Sequence, residues 1–178
     1  MSAIEEELTI EEVGALVCTT LERNGVRVVL SGGSVVSIYA DNEYQSYDLD
    51  FVRIGLGQRV DAAMKALGFE KEGRHWRHPR TRYWVEFPAG PVAVGDTVVR
   101  DFAIRSTQFG DLRLLAPTEC VMDRLTHYYH NDDLQCLDQA LAVAQRHAVD
   151  LDEIEAWSRR EHRAEKFLEF RRRLREST

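Results

Sequence analysis

Asp48 and Asp50 stand two residues apart in Asp48-Leu49-Asp50-Phe51, a segment that reads as a strand, so both carboxylates leave one face while Leu49 and Phe51 point into a core. Two such charges about 4 Å apart repel by roughly 1 kcal/mol in water and about 4 kcal/mol at an effective dielectric of about 20, which makes a divalent cation their natural compensator. An all-oxygen donor set favours magnesium or manganese. Upstream, beyond residues 35–47, lies Gly32-Gly33-Ser34. Glycine allows a backbone to approach a phosphate closely, a helix N-terminus offers unpaired N–H donors, and the Ser34 hydroxyl can add one more hydrogen bond. Together these residues supply what metal-assisted phosphoryl chemistry needs.

A third carboxylate stands on the next plausible strand, Arg82-Tyr83-Trp84-Val85-Glu86-Phe87, where Glu86 alternates with apolar Val85 and Phe87. Antiparallel pairing with the Asp48 strand would bring Glu86 beside the aspartates. There it could share a metal or take the proton of an attacking hydroxyl.

These residues resemble the DNA polymerase β-like nucleotidyltransferase superfamily, whose hallmarks are a Gly-Gly-Ser/Thr turn, an acidic-x-acidic strand and a later acidic strand residue. The resemblance implies that Gly32, Gly33 and Ser34 hold a nucleoside triphosphate, that Asp48 and Asp50 bind magnesium, and that Glu86 serves the acceptor hydroxyl as the third catalytic and metal-binding acid. The order of elements over residues 9–130 is similar to small stand-alone members linked to toxin–antitoxin and abortive-infection systems. Many such members carry a lysine on the helix after the acidic strands. Here Val121-Met122-Asp123-Arg124-Leu125 offers arginine, a planar donor in place of a point charge.

What the resemblance implies is transfer of a nucleoside monophosphate from a nucleoside triphosphate to an acceptor hydroxyl on RNA, protein or a small molecule. The alternative is a catalytically weak nucleotidyltransferase-like domain acting as an antitoxin-type binding partner, with a partner protein or a second copy of the chain as its counterpart. The implied fold class is α/β (α+β): a nucleotidyltransferase-like mixed sheet flanked by helices over residues 1–115, and a C-terminal helical lobe over residues 116–178.

The elements that must position the acids are legible in turn. Thr9 and Glu12 form a capping box, with Leu8 and Val13 as its hydrophobic staple, and Ile10, Val13, Val17 and Leu21 recur at helical spacing until Asn24-Gly25. Val26 to Leu30 reads as a buried strand, Val35 to Tyr39 as a short helix, and Gln58 to Leu67 as another helix. Phe69 to Trp76 and Arg82 to Phe87 read as a hairpin around His78-Pro79-Arg80-Thr81, followed by strands over Val98 to Ile104 and Leu112 to Leu115. Pro117 opens a helical stretch with breaks near Asn131 and Asp150.

Composition bounds the rest. A chain of 178 residues, 44% hydrophobic, can bury one good core. No apolar run approaches a membrane span, and the acidic start lacks a signal-peptide pattern, so a cytoplasmic location without membrane contact is expected. Cys18, Cys120 and Cys136 are odd in number and embedded in apolar-periodic segments, which predicts buried thiols. A net charge of −7 opposes indiscriminate nucleic-acid binding, and the eight basic against four acidic residues over 159–178 predict a solvated helix face.

Arg74-His75-Trp76-Arg77-His78-Pro79-Arg80-Thr81-Arg82 either grips a polyanion or simply solvates one sheet face; the sequence leaves both open. His127 and His130, three apart on a helix, predict surface or packing roles rather than a metal site. Tyr128 and Tyr129 are expected against the α/β part or along the nucleotide cleft.

Overall fold

The computed structural model describes residue 4 and residues 7–55 and 59–177. Helix α1 (Ile10–Arg23) carries the predicted cap: the Glu12 N–H donates to Thr9 Oγ1 at 3.2 Å and the Thr9 N–H donates to Glu12 Oε2 at 2.9 Å. β1 (Arg27–Ser31) runs to the glycine turn, α2 (Gly33–Tyr39) follows at once, and β2 (Asp48–Ile54) returns antiparallel to β1 with Ser31 opposite Asp50. α3 (Val60–Ala66) comes next. Gln58, the predicted start of that helix, lies outside the described residues.

The chain continues through β3 (Glu70–Glu72), β4 (His75–Arg77) and β5 (Trp84–Glu86), a small ribbon of β6 (Ala93–Val94) and β7 (Thr97–Val98), and the hairpin β8 (Phe102–Thr107) with β9 (Gly110–Leu115). Seven strands form one mixed sheet in the order β3-β4-β5-β2-β1-β9-β8, with β1–β9 and β2–β5 parallel. Leu30, Leu49, Phe51, Leu112 and Leu114 share one face by register. α1 lies on that face at close range because Gly14 has no side chain: a Cβ there would sit 3.3 Å from Leu112 and 3.4 Å from Leu49.

Two strand expectations need correction. Phe69 to Trp76 is not one strand, because Gly73 at φ +63° reverses the chain between β3 and β4. That added reversal sends β5 back parallel to β2, where an antiparallel pair was expected. Val98 to Ile104 is also divided, since Gly95 at φ +56° folds Val98 into the β6–β7 ribbon and leaves only Phe102 onward for the main sheet.

After Pro117 come α4 (Pro117–Asn131), α5 (Leu134–Arg146), α6 (Leu151–Arg160) and α7 (Ala164–Glu176). The last break, unpredicted, falls at His162, which takes φ +57° while the Arg163 N–H returns to the Ser158 carbonyl at 2.8 Å. Tyr129 stacks on Trp157 at 5.4 Å and its hydroxyl meets Ser158 Oγ at 2.8 Å, so it packs among the helices rather than against the sheet. Tyr128 instead receives Lys166 over its ring at 4.8 Å. The reason is that Trp157 and Ser158 offer the buried Tyr129 both an apolar plane and a polar partner. α2 joins the two parts of the fold: the Tyr39 hydroxyl donates to the Leu115 carbonyl at 2.8 Å, and His147 Nε2 meets the Tyr39 carbonyl at 2.8 Å.

The basic stretch at the end is laced with ion pairs, Arg172 to Glu169 and Glu176 and Arg171 to Glu155, as a solvated helix face should be. All three cysteines are buried free thiols. Among the described residues, no helix is long and apolar enough to cross a membrane.

Candidate active site

Alternation along β2 sends Asp48 and Asp50 out of the face opposite Leu49 and Phe51, which are wholly buried. β1 ends beside them, and the chain turns at Gly32 with φ +74°, a conformation glycine adopts without strain. A Cβ at Gly32 would lie 3.0 Å from Asp50 Oδ2, so the turn can press its backbone against that carboxylate only because the side chain is absent. Gly33 has more room, its nearest neighbour being Ser46 Oγ at 3.4 Å. α2 starts there without a side-chain cap, and its Val35 N–H returns to the Gly32 carbonyl at 3.2 Å.

Ser34 is wholly buried and its hydroxyl donates to the Ser31 carbonyl at 3.1 Å. That bond pins strand end to helix start. Ser46, which sequence reasoning did not single out, donates from Oγ to Asp48 Oδ1 at 2.5 Å and orients that carboxylate.

Asp50 is the electrostatic centre. Burial pushes its carboxyl up to about 6, with Asp48 and then Glu86 adding in the same direction. The group is costly to ionise, and it lies beside two other acids. Strand register places Glu86 directly beside Asp50 and Trp84 beside Asp48. Glu86 is not idle, however: its Oε1 lies 2.8 Å from His75 Nδ1 and its Oε2 lies 3.4 Å from Arg74 Nε. The His75 contact is close but falls outside hydrogen-bond alignment, and the same ring accepts at Nε2 from Arg74 Nε at 3.3 Å.

The three acids thus share one sheet face without closing into a cage. Among the described residues, no group of three or more His, Cys, Asp or Glu side chains is placed to hold a metal ion. Asp48 and Asp50 fit a cation that is completed by phosphate oxygens and water, as magnesium commonly is. Glu86 faces Arg74 and the His75 ring instead of completing a third corner. Arg124, on the helix where a lysine was sought, is nine-tenths buried, ion-paired with Asp123 and close to Cys136 Sγ at 3.8 Å. Its charge reaches Asp50 and favours that carboxylate's ionised form. His130 pairs with Glu161 at 3.6 Å, in keeping with a structural role.

Solved structures share this architecture. An antigenic nucleotidyltransferase-like protein from Paracoccidioides brasiliensis superposes with a TM-score of 0.60 at 13% identity, over 79% of this chain and 78% of that one. The antibiotic-resistance factor ANT(2'')-Ia superposes with a TM-score of 0.51 at 10% identity, over 92% of this chain and 96% of that one. No family model matches the sequence, and no curated protein does. The fold is nucleotidyltransferase-like, a mixed sheet with helices, as the glycine turn and acidic strand implied.

Proposed function

We propose that this protein is a nucleotidyltransferase that moves a nucleoside monophosphate from a nucleoside triphosphate to an acceptor hydroxyl. The observation that carries this reading is the Gly32 turn packed against the Asp50 carboxylate, with Asp48 on the same face and the uncapped start of α2 beside it. The acceptor oxygen attacks the α-phosphorus, the bond from that phosphorus to the bridging oxygen breaks, and pyrophosphate leaves. Positioning and charge neutralisation account for most of the catalysis in such reactions.

In this reading the backbone at Gly32 and Gly33 lies along the triphosphate, and Ser34 keeps the turn in shape. Asp48 and Asp50 would hold magnesium or manganese, which would neutralise phosphate charge. Glu86, poised between Asp50 and the Arg74–His75 pair, takes the acceptor proton. Support comes from the shared fold and from the acid pair, whose raised Asp50 marks a site prepared for a cation.

A second reading, a catalytically weak binding or antitoxin-type partner, is favoured by two particulars: Arg124 is sequestered by Asp123, and Glu86 already faces the Arg74 guanidinium. One experiment separates them. Purified protein with magnesium or manganese is incubated with each α-labelled nucleoside triphosphate and with RNA, cell extract or small hydroxyl compounds. Transfer that is lost in Asp48→Asn/Asp50→Asn supports the enzyme. Nucleotide binding by calorimetry, with no label transferred to any acceptor, supports the binding partner.

A further inference from the structure

Four arginines within residues 74–82 divide into two kinds. Arg74 faces Glu86 at 3.4 Å and Arg77 faces Glu72 at 3.2 Å. Among the described residues, Arg80 and Arg82 have no carboxylate partner, and both are exposed. Both guanidiniums, Arg82 also donating from Nη2 to the Tyr83 hydroxyl at 3.2 Å, line one cavity of about 640 Å³, bounded also by Glu7, Gln45, Ser46 and Tyr47. Among the described residues that line it, Glu7 is the one acid against two arginines, in a chain whose net charge is −7.

The cavity also has an aromatic floor. Tyr47, 38% exposed, stacks 6.3 Å from Tyr83 and 6.4 Å from Trp84. The Arg82 guanidinium lies over both tyrosines, at 5.6 Å from Tyr47 and 5.3 Å from Tyr83, which fixes the shelf from above. Asp48, Asp50 and Glu86 do not line this space. Ser46 connects the two, since it faces the cavity and its Oγ holds Asp48.

We propose that this cavity receives the end of a single-stranded nucleic acid, one or two nucleotides deep, with a base on Tyr47 and phosphates on Arg80 and Arg82. The placement beside Asp48 makes it the acceptor subsite, a role that rests on the transferase reading; the binding itself does not. An exposed ring next to guanidiniums without a carboxylate partner matches a ligand that is planar and anionic at once. A polycationic acceptor such as an aminosugar would meet like charge at Arg80 and Arg82. A duplex cannot offer an unstacked base to a cleft of this size.

The test is fluorescence anisotropy on the full chain, without nucleotide or divalent cation, using a 5′-labelled single-stranded RNA of about ten nucleotides, its DNA counterpart and the matching duplex. Two phosphate contacts give a salt slope of about −1.4 in log K against log salt. Arg80→Ala with Arg82→Ala should bring that slope near zero and weaken binding at least about tenfold at low salt. Tyr47→Ala should weaken binding about five- to fiftyfold and leave the slope unchanged, while Tyr47→Phe should bind like the parent. Circular dichroism confirms that each variant is folded. RNA binding alone would mean that the 2′-hydroxyl is read; equal DNA binding would mean stacking and charge suffice. Undiminished binding by the arginine variant, preference for the duplex, or Tyr47-dependent binding of an aminosugar in place of the oligonucleotide would overturn the proposal. Oligonucleotide binding without label transfer would instead sink only the transferase reading.

Discussion

Asp50 and Glu86 are register neighbours on adjacent parallel strands, yet they live in opposite surroundings. Asp50 is half-buried between a glycine turn and two other acids, and its carboxyl is pushed up to about 6. Glu86, one strand further out, meets His75 and Arg74 from the β3–β4 turn. Among the described residues Asp50 forms no ion pair, whereas Glu86 has the Arg74 guanidinium at 3.4 Å as a competitor to any bound cation. On the transferase reading proposed above, the first would hold the cation and the second would serve the acceptor, and the experiments that follow can break that division.

The largest effect is expected for Asp48→Asn with Asp50→Asn. Label transfer should fall by more than about a thousandfold, the scale of losing a phosphoryl-transfer centre's charge stabilisation. The fold should survive, and the apo protein should gain thermal stability at neutral pH because a buried like-charge pair is gone. Unchanged calorimetric magnesium affinity in this variant would refute the assignment.

Gly32→Ala comes next. The new Cβ meets Asp50 Oδ2 at 3.0 Å in a backbone conformation unfavourable to alanine, so a loss of about 1–3 kcal/mol is expected in urea unfolding. Gly33→Ala, with more room, should cost less, and equal losses at the two positions would show that the close approach at Gly32 is unimportant.

The third prediction concerns pH. Because the Asp50 carboxyl is raised from 3.8 to about 6, the folded protein holds a proton that the unfolded chain releases earlier. Its stabilising contribution is full below about pH 4 and is lost as pH rises through about 6. After allowance for solvent screening it is on the order of 1 kcal/mol. Denaturation curves from pH 4 to 7 should show this decline in the parent and not in Asp50→Asn. Magnesium affinity should rise over the same interval, since cation and proton compete for one carboxylate, and a flat profile would place the cation elsewhere.

The smallest effect belongs to Arg74→Ala. Its partner contact is mostly exposed, so stability should change by less than about 0.5 kcal/mol. Transfer should change in rate but not in nucleotide affinity, as Glu86 loses one competitor. Glu86→Gln should likewise spare nucleotide binding and lose transfer; parent-like turnover in that variant would remove Glu86 from the chemistry.

Much of the scaffold was legible because local patterns carry it. Thr9 and Glu12 announce the cap of α1, Asn24-Gly25 its end, and the alternation in Asp48-Leu49-Asp50-Phe51 the face of the acids. The direction of β5 was not legible, because it turned on one glycine reversal at Gly73 inside a run that scanned as a single strand. Ser46 left no signal either: its bond to Asp48 depends on a loop path no periodicity encodes. Arginine clustering over 74–82 was visible, but its division into side chains with and without a carboxylate partner required the register that sets Arg77 opposite Trp84 and brings Arg74 to Glu86.

The sequence by itself therefore determined the strand–glycine turn–helix unit, the shared face of Asp48 and Asp50, the capped first helix and the burial of the thiols. These follow from backbone preferences and side-chain period, which act within a few residues. Tertiary structure alone decided that Glu86 reaches Asp50 through a parallel pair and lies within 3.4 Å of Arg74, that Ser34 turns inward to Ser31, that Arg124 is taken by Asp123, and that Arg80 and Arg82 have no carboxylate partner among the described residues. Charged groups act through space, and the partner each one finds is set by strand direction and register rather than by distance along the chain.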